Sequence, residues 1–337
     1  MTSSTHLRSD KPTPIARARR RRLIGAAALL SLIAGCLPAS AQTWPAKPIK
    51  WVVPFPPGGL VDNVSRAVAL RLADRLGQPV VIENRPGANG GIGSAYVAKS
   101  APDGYTLLSG STGTHAINPH LYSNLPYDAL KDFVPISGLA DYDLALVVNA
   151  QSRIMSLADL LAASKAKTGG LSYGSSGPGS SNHMVSELLG VLTAARFVHV
   201  PYKGDGPALV DLMGNQLDFM FTPVSLALQH EKSGKLRMIA TTGAKRNAGS
   251  PQVPAAAETV PSMEFSGWIG AFAPAATPRE IVSRLAAEMT AVLNLPEMKP
   301  AFDGINSAAS TPDAFAQRVR RDNIVWEDVV RKSGARP

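Results

Sequence analysis

Trp51-Val52-Val53-Pro54-Phe55-Pro56-Pro57-Gly58-Gly59-Leu60-Val61-Asp62 joins an apolar run to an amphipathic one through a loop of prolines and glycines. Val61, Val64, Ala67, Val68, Leu72 and Leu76 recur at helical spacing, with Arg66, Arg71, Asp74 and Arg75 on the other face. The stretch therefore reads as strand, loop and helix N-terminus, with Asp62 the expected N-cap. Pro54, Pro56 and Pro57 have no N–H, which confines the loop's donors to Phe55, Gly58, Gly59, Leu60 and Val61, beside the positive end of a helix dipole. Such a loop suits a carboxylate or another small anion, and it equally suits an ordinary turn whose glycines serve tight geometry.

Outward from this unit, strand-like runs alternate with helical patterns. The runs are Ile49 to Val53, Val80 to Glu83, Tyr105 to Leu108, Leu144 to Asn149, Leu171 to Gly174, Phe197 to Val200, Asp218 to Phe221, Leu236 to Ala240 and Trp268 to Ala273. That alternation predicts an α/β fold. Helix starts are expected at Ser156 with Asp159, at Gly206 before Pro207, and at Thr277-Pro278-Arg279-Glu280, a capping box with Pro at the first helical position. Phe315, Val319, Trp326 and Val330 follow Thr311-Pro312 at helical spacing, so a docked helix is expected there.

The 337 residues suffice for two domains, and 45% hydrophobic with 18% charged residues is a globular composition. Arg17, Arg19, Arg20, Arg21 and Arg22 precede the apolar run Leu23 to Leu37, which is short for a membrane span and is followed by small residues, the pattern of a secretory signal peptide. Ala39-Ser40-Ala41 fits signal peptidase cleavage before Gln42, the favoured reading. Ile33-Ala34-Gly35-Cys36 resembles a lipobox that would anchor the chain through Cys36, and the arginines leave twin-arginine and general export both open. Residues 1–41 contribute +6 of the +9 net charge, leaving about +3 and no nucleic-acid footprint. Cys36 is the only cysteine, so the mature chain is expected to have no disulfide and no thiolate metal site or nucleophile.

Several motifs occur together in order: Pro48-Ile49 to Gly59 with Asp62 and Arg66, Leu76-Gly77-Gln78-Pro79-Val80 to Arg85, Pro102-Asp103-Gly104-Tyr105-Thr106-Leu107-Leu108, Ser175-Ser176-Gly177-Pro178-Gly179-Ser180, His199-Val200-Pro201-Tyr202-Lys203-Gly204 and Gly234-Lys235-Leu236-Arg237. Over essentially the whole mature chain they resemble the Bug family, periplasmic substrate-binding proteins similar to the receptor of tripartite tricarboxylate transporters. The resemblance implies a two-lobed periplasmic-binding-protein fold, type II-like, with a ligand cleft between the lobes. Residues 1–41 would be the signal peptide, 42–144 plus 268–337 lobe one, and 145–267 lobe two. The crossings would fall in Leu144 to Asn149 and near Gly267-Trp268, and bending there would close the cleft.

In such a fold the loops at strand carboxyl ends line the cleft. Lobe one would offer Phe55, Pro56, Gly58, Gly59, Leu60, Val61 and Asp62, then Gly110, Ser111, Thr112 and His115 within the loop from Ser109 to His115. Lobe two would offer Ser175, Ser176, Gly177, Gly179, Ser180 and His183, then Tyr202, Lys203, Gly204 and Asp205, and Thr222 and Pro223 after the Asp218 strand. No arginine occurs in these loops and Lys203 is their only fixed cation, so a carboxylate would be held by backbone amides, hydroxyls and water. The family binds carboxylates in much this way. Each residue also has a plain structural use: Ser180 as a helix N-cap, Lys203 as a solvated loop lysine, His115 and His183 as packed neutral groups, Asp205 as a turn or capping aspartate.

Enzyme readings fit less well. Gly170-Leu171-Ser172-Tyr173-Gly174 satisfies G-x-S-x-G, and a secreted serine hydrolase using Ser172 is the alternative function, but an elbow serine follows an apolar strand whereas Ser172 lies inside one. Gly87-Ala88-Asn89-Gly90-Gly91-Ile92-Gly93 lacks nucleotide-loop spacing, and no clustered ligand set supports a metal. No cofactor is expected. The expected partners are a small carboxylate and membrane transporter subunits, with the protein itself a monomer. Two positions depart from the family's pattern: Ala255, where Thr is usual, should weaken a helix start by about 1 kcal/mol, and Asn215 replaces a common Gly at an expected left-handed position. Thr222 cannot pair an ammonium as an acid would, which tilts the ligand slightly away from amino acids.

Overall fold

The computed structural model describes residues 44–336; the expected signal peptide, Cys36 and the cleavage point before Gln42 lie outside the described residues. The elements run β1 (Ile49–Val53), α1 (Leu60–Leu76), β2 (Val80–Asn84), α2 (Gly91–Ala98), β3 (Thr106–Ser111), α3 (Asn118–Leu121), β4 (Phe133–Tyr142), β5 (Leu144–Asn149), α4 (Leu157–Ala166), β6 (Leu171–Ser175), α5 (Ser181–Thr193), β7 (Phe197–Pro201), α6 (Asp205–Met213), β8 (Phe219–Pro223), α7 (Val224–Lys232), β9 (Leu236–Thr241), β10 (Gly267–Pro274), α8 (Arg279–Leu293), β11 (Asn306–Ser307) and α9 (Pro312–Ser333). The fold is mixed α/β with two sheets, the two-lobed architecture of periplasmic solute-binding proteins.

The first sheet has the order β11-β4-β10-β3-β1-β2, and the second β7-β6-β8-β5-β9. β1 is parallel to β2 and β3, and β6 to β7 and β8, so in both sheets these strands end on the same side as the loops that follow them. The chain leaves the first sheet after Tyr142 and enters the second at Leu144, so Asp143 is the passage and Leu144–Asn149 belongs wholly to the second sheet. It returns between β9 and β10.

β4 is a strand that periodicity missed. Its sequence carries Pro135 and Gly138, which interrupt the apolar run, and proline is tolerated because β11 covers β4 only at Ala140 and Asp141 and the chain after it bonds Leu139 and Gly138, short of Pro135. Trp268 and Phe272 of β10, Phe315 and Val319 of α9, and Val52 and Leu108 form one buried cluster over this sheet. Ala145, Met220, Ala208, Leu212 and Val224 form its counterpart on the face of the second sheet that α6 and α7 cover. α9 packs on β4 and reaches α5 of the second lobe. Among the described residues no helix is long and apolar enough to cross a membrane.

Caps behave as expected at Ser156, Ser180 and Thr311, whose side chains accept from Asp159, His183 and Ala314 amides. Asn215 takes φ +58°, a left-handed turn that asparagine tolerates. Three other starts differ. α6 begins at Asp205 behind Gly204 rather than at Gly206. α8 has Pro278 in the cap position, because the Thr277 hydroxyl donates back to Pro274 C=O at 2.7 Å instead of capping. After Ala255 there is only the short turn Ala256–Glu258, held by Glu258 accepting the Ala255 amide at 2.9 Å, so no α-helix exists there for a lost threonine to weaken.

Candidate functional site

The loop after β1 is organised by Asp62, though not as an N-cap. α1 begins at Leu60 with Gly59 in the cap position, which makes Asp62 the third helical residue. Its carboxylate reaches back to accept the Gly58 amide at 2.9 Å, and also takes Arg66 Nε at 2.9 Å and Asn84 Nδ2 at 2.7 Å. Burial raises the Asp62 carboxyl, but these three donors outweigh it and hold it below the usual carboxylate range. The Gly58 amide is thus spent within the loop, at a φ of +84° that suits glycine. The first intrahelical bond runs from Asn63 N–H to Gly59 C=O at 2.9 Å, so the amides of Leu60, Val61 and Asp62 have no acceptor inside the helix. Phe55, Leu60 and Val61 are half-buried, and Pro56, Pro57 and Gly58 are exposed.

The expected second loop of lobe one is not a loop at its start. β3 continues through Ser109, Gly110 and Ser111, and Thr112 to Ile117 coil directly behind it, all buried. Gly110 serves packing: a Cβ there would lie 2.4 Å from the Phe272 ring. The Thr112 hydroxyl accepts the Trp268 amide at 2.9 Å, and Ser111 and Thr114 bond each other. His115 is wholly enclosed, its ring stacked 4.0 Å from Phe272, and burial pushes it down to about 3. Gly110 and His115 therefore belong to the aromatic core of the lobe and not to a cleft surface.

In lobe two, Ser175 closes β6 with its Oγ 2.6 Å from His199 Nε2 and accepts the Gly177 amide at 3.1 Å. Ser180 caps α5, and Asn182 Oδ1 gathers the Ser176 amide at 3.2 Å and the Ser180 hydroxyl at 2.5 Å. His183 lies beneath this loop, its Nδ1 accepting the Gly179 amide at 3.0 Å, which leaves the proton on Nε2 toward Glu187. It stacks 3.9 Å from His199, and burial, helped for His183 by its neighbour, lowers the two to about 3 and about 4. The Tyr202 hydroxyl donates to Asp211 at 2.5 Å, while Lys203 is exposed with no ion pair among the described residues. Thr222 and Pro223 are the last residues of β8 rather than a loop after it, and Thr222 is fully buried.

Across the interlobe gap, the Ser175–Ser180 loop meets lobe one. Tyr122 donates to Pro178 C=O at 3.2 Å, and Tyr142 Oη lies 3.0 Å from Ser181 Oγ. Gly179, at φ +76°, sits so close that a Cβ would fall 2.6 Å from Leu121 and 3.0 Å from Asn89. Sequence reasoning passed over Asn84, Asn89, Asn118, Asn182 and His199. The only local signal for Asn182 is its place two residues beyond a capping serine; the others become neighbours only through the fold. Ser172 lies within β6 and is consumed structurally: its amide and hydroxyl donate to Asp218 at 2.7 and 2.8 Å.

The sequence model of a family described as "Tripartite tricarboxylate transporter family receptor" matches residues 64–331. Protein BugT of Bordetella pertussis is 38% identical over 320 residues, 94% of this chain and 98% of that protein. A solved structure of R. palustris Rpa4515 with adipate aligns with TM-score 0.83 at 34% identity, covering 87% of this chain and 99% of that one. MatC from Rhodopseudomonas palustris with bound malate aligns with TM-score 0.80 at 32% identity, covering 85% and 100%. With a matching family model over most of its length and relatives sharing both sequence and two-lobed fold, this chain belongs to the tripartite tricarboxylate transporter receptor family of solute-binding proteins.

Proposed function

We propose that the protein is exported to the periplasm and captures a small carboxylate-bearing metabolite in the cleft between lobe one (residues 42–144 plus 268–337) and lobe two (145–267), for delivery to membrane transporter subunits. What supports this reading is a pair of elements, one from each lobe. The Pro54–Val61 loop presents unspent helix amides whose nearest charge, Asp62, is neutralised by Arg66, and the Ser175–Ser180 loop closes against lobe one through Gly179. One ligand carboxylate would sit on the Gly59, Leu60 and Val61 amides, where a helix dipole favours an anion. Ser176 and Gly177 would face it from lobe two, with Tyr142 of lobe one beside them through Ser181. The adipate and malate held by the two related structures support a carboxylate as ligand.

The hydrolase reading has no support, because Ser172 is bound to Asp218 inside a strand. The protein acts as a monomer, its mature chain starts at Gln42, and it returns its ligand unchanged. A thermal-shift screen against a carboxylate panel tests the function: a ligand at about a hundred times its Kd adds roughly 2.7 kcal/mol of stability. A melt that no carboxylate raises, or an N-terminus still at Met1 in the cytosolic fraction, overturns it.

A further inference from the structure

One acid in the cleft has no cation. Asp205 opens α6, and its Oδ1 accepts from Asn182 Nδ2 at 2.7 Å; among the described residues no lysine, arginine or histidine pairs with it. It stands where the lobes meet, since Asn182 follows Ser181, the residue that Tyr142 touches, and the Asp205 charge is felt at Tyr142. The residue is half-buried, yet enough protein surrounds its carboxyl for burial to push it up to about 6, against the lowering effect of Asn182. Near neutral pH it is therefore mostly an anion held in an unfavourable place.

The strand register puts a second unspent polar group on the same side. Gly174 of β6 pairs with Met220 of β8, and a Cβ on Gly174 would lie 3.3 Å from Ala208 of α6, so that face of the sheet lies under α6. Thr222, two residues beyond Met220, points to the same face at the cleft end of the sheet, and its buried hydroxyl has no hydrogen-bond partner among the described residues. Opposite charge is scarce: Lys203 is exposed, and Arg66 is occupied by Asp62 and Asn84. A second ligand carboxylate would find no cation here but the exposed, solvated Lys203, whereas an ammonium would find an unpaired carboxylate.

We infer that Asp205, oriented by Asn182 and with Thr222 on the sheet face that its helix covers, forms a distal subsite for a ligand ammonium, so that the physiological ligand is an amino carboxylate rather than a dicarboxylate. This rests on the proposed carboxylate capture by the lobe-one loop. It also reverses the tilt drawn from Thr222: the acid an amino group needs is supplied by Asp205.

The test uses matched ligands that exchange a distal carboxylate for an ammonium: succinate with β-alanine, glutarate with γ-aminobutyrate, adipate with δ-aminovalerate. Each is titrated calorimetrically into the wild-type protein and into Asp205→Asn, which keeps a side chain able to bond Asn182. The best amino carboxylate is expected to bind wild type at least about tenfold more tightly than its dicarboxylate twin. Asp205→Asn should erase that preference, weakening the amino ligand about tenfold or more and strengthening the dicarboxylate, with the ligand-free melting temperature near neutral pH held or raised, because an unfavourably placed anion is removed. A purely bracing role for Asp205 would weaken both twins alike, and that result overturns the inference. So do dicarboxylates that bind wild type as tightly as their twins and ignore Asp205→Asn, a result that leaves carboxylate capture standing. If no ligand of either kind binds wild type, carboxylate capture and this inference fall together.

Discussion

The two walls of the cleft hold their polar groups in opposite ways. The lobe-one loop settles its own charges: Asp62 takes Arg66, Asn84 and the Gly58 amide, and what remains toward the cleft is main chain. The lobe-two wall settles its hydroxyls and amides through Asn182, His183 and His199 and leaves a carboxylate without a cation. Main-chain amides accept any carboxylate that fits, because every residue has the same N–H. A lone acid discriminates among what is attached to that carboxylate. On the proposed reading, general capture and selection are divided between the lobes, and variants on the two sides should then differ in kind as well as in size.

The largest effect is expected from Asp62→Ala. It frees the Gly58 amide and leaves Arg66 and Asn84 without their buried acceptor, a loss of about 1–3 kcal/mol in stability. Affinity should drop roughly a hundredfold, equivalent to about 2.7 kcal/mol, and to the same factor for every ligand. Calorimetry across the matched ligands checks this, and a loss confined to one ligand class would break the division. Next is Gly179→Ala, whose new Cβ would collide with Leu121 and Asn89 and sit at a left-handed φ. Closure should be hindered and affinity fall about tenfold for all ligands, with scattering showing a more extended ligand-bound form.

Acid should act through the three lowered histidines. His115, His183 and His199 stay neutral in the fold well below their ordinary value near 6.5, down to about 3 or 4. The unfolded chain binds their protons first, so the stability they confer is complete above pH 6.5 and drains away as pH falls toward 3. Asp205 has the opposite sign: its raised value favours the fold below pH 4 and loses that contribution as pH rises through about 6. Denaturant titrations at several pH values should show net acid destabilisation, and Asp205→Asn should make the decline between pH 6 and 4 steeper. The smallest effect is expected from Lys203→Ala, which should weaken binding by less than about threefold at low salt and by nothing measurable once salt screens an exposed lysine. A large, salt-resistant loss would mean that lobe two holds the carboxylate by an ion pair.

The unit built on Trp51 to Asp62 was readable because its signals are local: an apolar run, prolines and glycines, then helical spacing. The same holds for the caps at Ser156, Ser180 and Thr311 and for the left-handed Asn215. β4 was not readable, since Pro135 and Gly138 break its pattern: Pro135 is tolerated on an edge that β11 does not reach, and Gly138 fits because a Cβ there would lie 2.4 Å from Ala308 C=O. Gly110 and His115 looked like loop residues because nothing nearby in sequence announces Phe272, whose ring occupies the space next to both.

By itself the sequence determined the α/β alternation, the proline- and glycine-rich loop that leads into α1 and, through motifs in order, the family. These depend on backbone preference and short-range periodicity, which neighbours along the chain decide. Only the tertiary structure decided which donors and acids are spent. Asp62 meets Asn84 from the next strand, and Asp205 meets Asn182 from the preceding helix, across 22 and 23 residues of chain. Whether a carboxylate is neutralised or left unpaired is set by the few groups within hydrogen-bond reach, and which groups those are is fixed by how strands and helices pack.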